Sequence, residues 1–492
     1  LALHFLESGD KSKALDYFLK AGEKAAGIYA NAEAASYFQS ALRLLEEKEG
    51  ELQEKERVLE RLGDIENLSG KLDGCIKHWD EALLISTTLQ EEEKSAMLHR
   101  KMASLLWDRI GDKEKAREHH EAALRILENI PESVELARVY KDAGHMHRRM
   151  GEFAEALHLE EKALALAEKL NAPEVISTSC GELAVEIWSA GNPKKSREYA
   201  NRALRIALEN SLWEPALWGY YRVADALPVE EYEKRMDYDE KGLALAKKIG
   251  HVGFQSAFLN LKAGEYWFRG ELDKAIALGE EALLLSQRVG DKFNISVSLL
   301  ILGHAYSILG DWEKSERYYD EAADVGRNLN EYYPIVEGHF GLGLLNFNRE
   351  EYNKAKESFE KALKILEKTG GRAGQVYYSQ FLIWASIEVG EIEKARKLLD
   401  TMQEFALLTE DKALSAIEMA LRAMLLRGEK KYEESVKLFE KAFREWKSMK
   451  ADIWNAYFFA RWVLYEYARV YLDRDQPGDR EKADRLLNQA LE

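Results

Sequence analysis

A small residue recurs about every 40 positions, at the same point of a helical pattern, along most of this chain of 492 residues. Between Ala82 and Ala442 the steps are 39 to 41 residues, and only Met402 is large. The series is Ala21, Ala41, Ala82, Ala123, Ala163, Ala203, Gly242, Ala282, Ala322, Ala362, Met402, Ala442 and Ala490. A fixed period of this length is typical of a repeat array, in which each unit buries its apolar face against its neighbours. The periodicity therefore predicts an elongated solenoid and disfavours a single enclosed active site.

A turn divides each period into two helical segments. In AGHMHRRMGEFAEALHLEEKALAL, residues 143–166, the first helix ends before Gly151 and the second begins after Glu152. Glycine adopts the positive φ of a helix C-terminus, and an acidic residue suits the next N-terminus. Small residues such as Gly63, Gly144 and Gly303 also recur seven positions before the turn. Glycine weakens a helix, so close packing against the second helix is the natural reason for its presence there.

A small residue in the first helix and an Ala-x6-Ala or Ser-x6-Ala spacing in the second resemble the tetratricopeptide repeat, whose usual period is about 34 residues. The longer period here implies longer helices or loops. The resemblance implies an all-α fold, a right-handed superhelix (solenoid) of antiparallel helix pairs. The first helices would line most of its concave surface.

The pattern is irregular at several places, and this suggests a division of the chain. Ala21 and Ala41 lie only 20 residues apart, so two segments that resemble second helices abut, and residues 1–50 are predicted to form an N-terminal helical entry module. Residues 51–470 form the predicted superhelix, and residues 471–492 a distorted C-terminal repeat or cap. Within the superhelix, Pro228 replaces the turn glycine, and residues 349–351 form a turn without glycine.

Composition excludes several classes of function. The net charge is −17 and no long basic stripe is visible, so direct nucleic-acid binding is not expected. No unbroken apolar run approaches the ~18–20 residues that span a bilayer, so no membrane contact is expected. Cys75 and Cys180 lie in different repeats and are predicted to be reduced thiols of a cytoplasmic protein.

The usual sequence signatures of catalysis and metal binding are missing. The chain has no GxxxxGK[ST], HExxH or GxSxG motif, so no catalytic residue and no cofactor are predicted. Six of the eleven histidines fall between His99 and His158, but none of their spacings completes a ligand set. No metal site is predicted.

Aromatic residues fall at groove-facing offsets in the middle and late repeats when the family's offsets are transferred to this chain. Stacked rings with scattered polar groups suit a peptide or a sugar-like ligand. The competing interpretation is that these rings fill the seams between longer helices. The candidate ligand-binding residues are Trp188, Tyr220, Trp267, His304, Phe340, Phe347, Tyr377 and Trp384.

A basic cluster falls at concave offsets in an early repeat. Arg138, Lys141, Arg148 and Arg149 are candidates for binding an acidic partner segment or a phosphate. The competing interpretation is a solvated face whose charges are balanced by neighbouring glutamates.

The N-terminal segment HFLESGDKSKALDYFLKAGEKAAGIYANAEAASYFQSALRLLEE resembles the junction where tetratricopeptide sensors begin in signal-transduction ATPases with numerous domains. The resemblance covers this junction and the long-period repeats. It implies a sensor and autoinhibitory domain whose concave groove binds a peptide, protein or small-molecule inducer. It also implies an upstream nucleotide-binding domain in the same polypeptide, in which any ATPase activity would reside. The alternative is a pure protein–protein interaction scaffold without a switching role.

Overall fold

The computed structural model describes residues 1–28, 30–48, 50–227, 231–329, 331–369, 371–448 and 458–491. In these ranges the chain is helical and contains no β-strand. The predicted turn at Pro228 lies outside the described residues.

The helices follow one another through short connections. Their bounds are Ala2–Glu7 (α1), Lys11–Gly27 (α2), Asn31–Glu46 (α3), Leu52–Ser69 (α4), Leu72–Thr88 (α5), Glu92–Leu105 (α6), Lys113–Leu127 (α7), Val134–Met150 (α8), Phe153–Lys169 (α9), Pro173–Ser189 (α10), Pro193–Glu209 (α11), Trp213–Ala226 (α12), Tyr232–Ile249 (α13), Val252–Phe268 (α14), Leu272–Val289 (α15), Lys292–Leu309 (α16), Trp312–Leu329 (α17), Tyr332–Asn348 (α18), Tyr352–Thr369 (α19), Arg372–Glu388 (α20), Ile392–Thr409 (α21), Lys412–Gly428 (α22), Tyr432–Ser448 (α23), Phe458–Arg474 (α24) and Asp479–Leu491 (α25). A π-helical segment, Leu106–Ile110, extends α6.

Small residues hold the two helices of each pair together. Consecutive helices pair as α2 with α3, α4 with α5, and so on to α24 with α25. Ala82, Ala163 and Ala362 are fully buried between the helices, as the periodicity predicts. A Cβ atom added to Gly63 would lie 2.3 Å from the Trp79 ring, so this glycine is required for the close approach of α4 and α5.

Turn chemistry fixes the connection within each pair. Gly70, Gly111 and Gly151 adopt φ angles of 78°, 83° and 82°, which glycine tolerates best. Where the sequence lacks glycine, Glu350 adopts φ 61° instead. The predicted turn at residues 349–351 is therefore present, at a backbone cost of roughly 1–2 kcal/mol.

The first helices of neighbouring pairs form the inner layer of the array. The helices α10 and α12 pack on each other, as do α14 and α16. In the described part of the chain, the second helices of neighbouring pairs pack less extensively on one another. The first helices therefore lie at the smaller radius and form the inner wall.

The superhelix closes on itself along its axis. In the first superhelical turn, the connection between the two helices of a pair touches the C-terminal end of a second helix in the next superhelical turn. An added Cβ at Gly111 would lie 2.8 Å from Leu329, and one at Gly151 would lie 2.2 Å from Thr369. The ion pair of Lys113 with Glu331 spans 218 positions, roughly five and a half repeats of the array. The axial rise of one superhelical turn therefore equals the height of the layer of helices. Successive turns touch, and the array is a closed tube.

The N-terminal helices differ from the sequence interpretation. An added Cβ at Gly22 of α2 would lie 2.9 Å from the Phe38 ring of α3, the same arrangement that Gly63 and Trp79 show. The helix α2 is therefore a first helix and α3 its second helix. The interpretation of α2 as a second helix, which the 20-residue spacing of Ala21 and Ala41 suggested, is therefore wrong, and that of α3 is right. The domain boundaries at 50 and 470 stay predictions.

Among the described residues, one helix has the length and composition to cross a membrane. Lys292–Leu309 has a mean hydropathy of 1.3 over 18 residues, and 44% of this window is buried. The segment contains Asn294, His304 and three serines, so it is not the unbroken apolar run that the sequence analysis considered. It packs against α15, α17 and α18, as expected for a core helix of the array.

Candidate functional site: the inner wall and the seam between turns

Paired charges cover the inner wall in the early repeats. Lys101 Nζ lies 2.7 Å from carboxylate oxygens of both Glu60 and Asp64. Arg100 binds Glu135 and Asp142 on the next first helix, α8. Each cation is thus held between carboxylates of neighbouring repeats, and the pairs fix the register of the first helices.

A second ionic contact joins the two superhelical turns at Glu331, which is 1% exposed. Glu331 accepts a hydrogen bond of 3.0 Å from Arg149 Nε and pairs with Lys113 at 3.4 Å. Arg109 Nη2 donates to the Val289 carbonyl oxygen at 2.8 Å, and Lys292 Nζ donates to the Ile110 carbonyl oxygen at 2.6 Å. We call these contacts the seam. Arg109 lies in the π-helical segment, which places it against the second turn.

The seam continues into a buried network on the inner wall. Asp108 accepts from Arg149 Nη1 at 3.2 Å and lies 3.3 Å from His145 Nε2. Burial alone would raise the pKa of Asp108, but His145, Arg149 and Lys113 outweigh it and hold that pKa well below its usual range. Burial lowers the pKa of Lys113 to about 8, against the opposing charge of Glu331. The network is therefore ionic and partly buried, with the Asp108 side chain 31% exposed.

The predicted basic cluster lies within this network. Arg138 binds Glu135 and Glu174, and Lys141 binds Asp142. Arg148 lies 3.0 Å from Glu182, and Arg149 binds Glu331. Glutamates do balance the cluster, but its side chains are mostly buried rather than solvated. Each cation already has a partner, so an acidic partner segment would have to displace an internal one.

Two predicted ligand-binding rings meet at the seam. Trp188 at the end of α10 stacks on Tyr377 of α20, with ring centroids 6.1 Å apart and planes 7° from parallel. Trp188 is 40% exposed, although it is a large aromatic side chain. The Tyr377 hydroxyl donates to Asp411. An accessible aromatic surface therefore bridges the first and second superhelical turns.

Trp267 and His304 form a second aromatic pair on neighbouring first helices. Their ring centroids lie 4.9 Å apart, and the Tyr319 hydroxyl lies 2.8 Å from His304 Nδ1. The Trp267 Nε1 atom is buried and has no hydrogen-bond partner in the described part of the chain. This site combines a partly exposed ring with an unsatisfied donor.

The remaining predicted rings belong to the core. Phe347 is 0% exposed and Trp384 is 1% exposed, so the prediction that they line the groove is wrong. They pack edge-to-face on each other and fill the space between α18, α20 and α24. Phe340 is partly buried against Phe359 and Tyr378, and Tyr220 lies against Tyr238. For these rings, the interpretation that they fill the space between helices describes the packing.

Sequence reasoning missed a series of buried acids in the middle repeats. In several repeats, the residue three positions before the periodic small residue is a large buried aromatic, as at Trp79, Tyr319 and Phe359. The same position holds Glu160 and Asp239, both essentially inaccessible to solvent. Both Glu160 carboxylate oxygens lack a hydrogen-bond partner in the residues described. The break in the aromatic series was visible in the sequence and could have identified them.

Burial favours the protonated form of these acids. It raises the pKa of Glu160, with Glu182 adding to the effect. It raises the pKa of Asp239 to about 8, reinforced by Glu265, and the pKa of Glu186 to about 8 despite the nearby Arg148. Two of the middle repeats therefore carry a buried carboxyl group, Glu160 or Asp239, where other repeats carry an aromatic ring.

The described residues contain no group of three or more His, Cys, Asp or Glu side chains placed to hold a metal ion. Cys75 and Cys180 are buried free thiols. Burial raises the pKa of Cys180 to about 11, and it raises that of Cys75 further. Neither thiol is therefore a reactive nucleophile at neutral pH.

Comparison with known proteins identifies the repeats. A family model of the tetratricopeptide repeat matches residues 54–129, 95–169, 255–328 and 295–368. The chain therefore contains tetratricopeptide repeats, and the predicted all-α solenoid is confirmed. Arrays of this class present extended surfaces for protein and peptide partners, and the repeats indicate a protein–protein interaction scaffold. No catalytic domain is evident in the described part of the chain.

Among curated proteins, the chain is similar to Protein KINESIN LIGHT CHAIN-RELATED 2 of Arabidopsis thaliana, with 24% identity over 280 residues. The matched region is 55% of this chain and 36% of that protein, so this chain spans only about a third of the relative.

Two solved structures share the fold at low sequence identity. The Cut9-Hcn1 hetero-tetramer of APC/C matches with a TM-score of 0.51 and 16% identity, covering 100% of this chain and 99% of that chain. A Rap protein complexed with Competence and Sporulation Factor matches with a TM-score of 0.50 and 14% identity, covering 80% of this chain and 99% of that one. These similarities show the fold alone.

Proposed function

We propose that this chain is the sensor and autoinhibitory array of a signal-transduction ATPase with numerous domains, and that it binds an inducer or partner on its inner wall. The observation that carries the proposal is the exposed stack of Trp188 on Tyr377, which joins two superhelical turns. Nucleotide hydrolysis would belong to an upstream domain of the same polypeptide. We further propose a cytoplasmic location.

The stack suits a ligand because it offers aromatic surface inside a concave wall. An aromatic pair that remains 40% exposed at Trp188 gives a peptide side chain or a sugar ring a face to pack on. A Rap protein of the same fold is complexed with Competence and Sporulation Factor, so such an array is able to hold a bound factor.

The seam supplies a physical basis for switching. Trp188 and Tyr377 lie on different superhelical turns, so a ligand that contacts both favours one spacing of the turns over another. A ligand shifts a conformational equilibrium only by its differential affinity for the two states. Ligand contact at the stack would therefore change the pitch of the tube and, with it, the surface offered to the upstream domain.

The alternative is a rigid scaffold without a switching role. The paired cations of the inner wall favour it, since Arg100, Lys101 and Arg148 already bind internal carboxylates. In that case a protein partner would occupy the outside or an edge of the tube, and no small ligand would change the seam.

A thermal-shift screen with oligosaccharides, short peptides and nucleotides tests the proposal. We expect a compound that stabilises the chain, by about 2.7 kcal/mol when present at 100 times its Kd. Trp188→Ala should abolish the shift, because it removes the accessible face of the stack. Trp312→Ala is the matched control, since Trp312 is 38% exposed but lies at an edge of the tube.

The outcomes separate the two functions. A compound whose effect survives Trp312→Ala and disappears in Trp188→Ala supports the sensor. A compound that acts equally on all three proteins places the site elsewhere. No response across the panel favours the scaffold, and a pull-down with the upstream domains then becomes the informative experiment.

A further inference from the structure

The connections between pairs are covered in the second superhelical turn and uncovered in the first. An added Cβ at Gly290 would lie 3.6 Å from Leu72, and one at Gly371 would lie 3.3 Å from Phe153, both in the preceding turn. An added Cβ at Gly50 has no atom within 4 Å. The edge formed by the connections from residue 50 to residue 93 is therefore free. We call it the free acidic edge.

The free acidic edge repeats the chemistry of the seam. Glu331 immediately precedes the first helix α18, and it receives Arg149 and Lys113 from the neighbouring superhelical turn. Glu51 and Glu91 hold the same place before α4 and α6. Their partners are local: Lys48 pairs with Glu51, and Gln53 donates to Glu91 at 3.2 Å. No side chain from another superhelical turn reaches them in the described part of the chain.

Two surface depressions lie at these same positions. One of about 370 Å³ is lined by Glu51, Leu52, Glu54 and Leu89. The other, of about 500 Å³, is lined by Glu91, Glu92, Glu93, Lys94, Met97, Glu135 and Arg138. A carboxylate in the first turn of a helix complements the helix dipole, and α6 carries Glu92 and Glu93 there after its N-cap residue Glu91.

A buried, unsatisfied carboxylate borders the larger depression. Glu56 is 2% exposed, and its Oε2 atom lies 3.1 Å from Nζ of Lys94, which lines the depression. Its Oε1 atom has no hydrogen-bond partner among the residues described. A cation entering beside Lys94 would therefore meet a desolvated acceptor as well as the surface glutamates.

The free edge at the other end of the tube is not complementary to the free acidic edge. In the first superhelical turn, Arg149 lies two residues before Gly151 and Lys113 lies two residues after Gly111. In the second superhelical turn, Ile308 and Trp312 lie two residues before and two residues after Gly310. Ile308 is 40% exposed and Trp312 is 38% exposed. A second copy stacked end to end would thus place apolar side chains on Glu51 and Glu91. The complementary occupant is cationic, and it is not another copy of this chain.

We propose that the free acidic edge docks a basic segment of a partner protein, in the way that Glu331 receives Lys113 and Arg149. The segment that contacts both Glu51 and Glu91 presents more than one arginine or lysine, since the two glutamates precede different first helices. Leucines 52 and 89 contact its apolar side chains. This inference does not depend on the ligand proposed for the inner wall.

Fluorescence anisotropy with a labelled peptide tests it. The probe carries three arginines separated by pairs of uncharged residues, and a matched peptide carries glutamates at those positions. We expect the arginine peptide to bind and the glutamate peptide not to bind. The double variant Glu91→Gln and Glu92→Gln should weaken binding at least about tenfold, a loss of about 1.4 kcal/mol. The control variant, Glu280→Gln and Glu281→Gln, removes the same charge from the exposed outer helix α15 and should bind as the unchanged protein does.

Three results would overturn the proposal. The arginine peptide could fail to bind although the far-UV circular dichroism of the protein is unchanged. The two double variants could lose affinity equally, which would mean that only the overall negative charge attracts the peptide. Finally, sedimentation could show self-association that Glu91→Gln and Glu92→Gln abolish, which would make a second copy the occupant.

Discussion

Glu331→Gln should separate the two superhelical turns without unfolding the repeats themselves. Glu331 is almost fully buried, and its carboxylate is shared by Arg149 and Lys113. The variant keeps the size of the side chain and its carbonyl acceptor, but it removes the negative charge that Lys113 and Arg149 share. The perturbation therefore acts on the seam and not on the packing of helix pairs.

The magnitude follows from the burial of this group. Removing one partner of a buried ion pair typically costs about 3–5 kcal/mol, because a desolvated charge remains unpaired. Asp108 still neutralises Arg149 at 3.2 Å, so we expect the lower end, about 3 kcal/mol. Burial already lowers the pKa of Lys113 to about 8, and the loss of Glu331 lowers it further. Lys113 then escapes part of the penalty by losing its proton.

Urea unfolding and amide hydrogen exchange together measure the effect. Exchange should accelerate around Gly111 and Leu329, where the two turns meet, and much less within α22. Glu360→Gln is the control, since Glu360 pairs with Lys394 and both side chains are more than a third exposed. An exposed pair contributes no more than about 1 kcal/mol. If Glu331→Gln costs no more than Glu360→Gln, the seam does not hold the turns together and the reasoning fails.

Three further predictions concern the helix pairs and the buried acids. Ala163→Trp should lower the free energy of unfolding by more than about 3 kcal/mol and unfold adjacent repeats in a thermal melt, because Ala163 is 0% exposed between α8 and α9. Trp188→Ala should lower it by only about 1 kcal/mol. Glu160→Met should raise the free energy of unfolding in urea by about 1–3 kcal/mol, since it replaces a buried and unpartnered carboxyl by an apolar group of similar size, and destabilisation would contradict the assignment. The pKa values of Glu186 and Asp239, raised to about 8, mean that the folded state binds more protons than the unfolded state above pH 4.5, so stability falls as pH rises toward 8. Acidification from pH 8 to 6.5 should therefore stabilise the chain by about 1.5 kcal/mol for each group, and Glu186→Gln with Asp239→Asn should remove this dependence.

Most of the local fold could be predicted because it depends on nearest neighbours. The positions of Ala82, Ala163 and Ala362 are fixed by the close contact of two helices, and that contact leaves a periodic mark in the sequence. Turn glycines such as Gly111 and Gly151 are visible for the same reason, since the backbone there has a positive φ.

The closure of the tube could not be predicted. It depends on a small rotation per repeat that accumulates over roughly five repeats, and no local pattern records this sum. The seam residues Arg109, Lys113 and Glu331 are ordinary charged residues in a chain rich in charge. Only the three-dimensional arrangement shows that they meet.

The candidate site was predicted in part. Trp188 and Tyr377 do meet, although they are distant in sequence and lie on different superhelical turns. Phe347 and Trp384 are buried because repeats of 40 residues have more interhelical space to fill than the shorter repeats from which the groove offsets came. Buried acids such as Glu160 escaped notice because the chain has many glutamates and composition alone does not distinguish them.

The closed superhelix is the claim on which the seam, the aromatic stack and the free acidic edge all depend, and a distance measurement between turns tests it most directly. Glu114→Cys and Asn328→Cys introduce exposed labelling sites three residues and one residue from the contact of Gly111 with Leu329. Cys75 and Cys180 are buried, so they should remain unlabelled. Double electron–electron resonance between nitroxides at the two sites should give one narrow distribution centred at about 20–30 Å, as expected for labels on helices whose ends touch. A broad distribution beyond about 40 Å would mean that the turns are apart and that the tube is open.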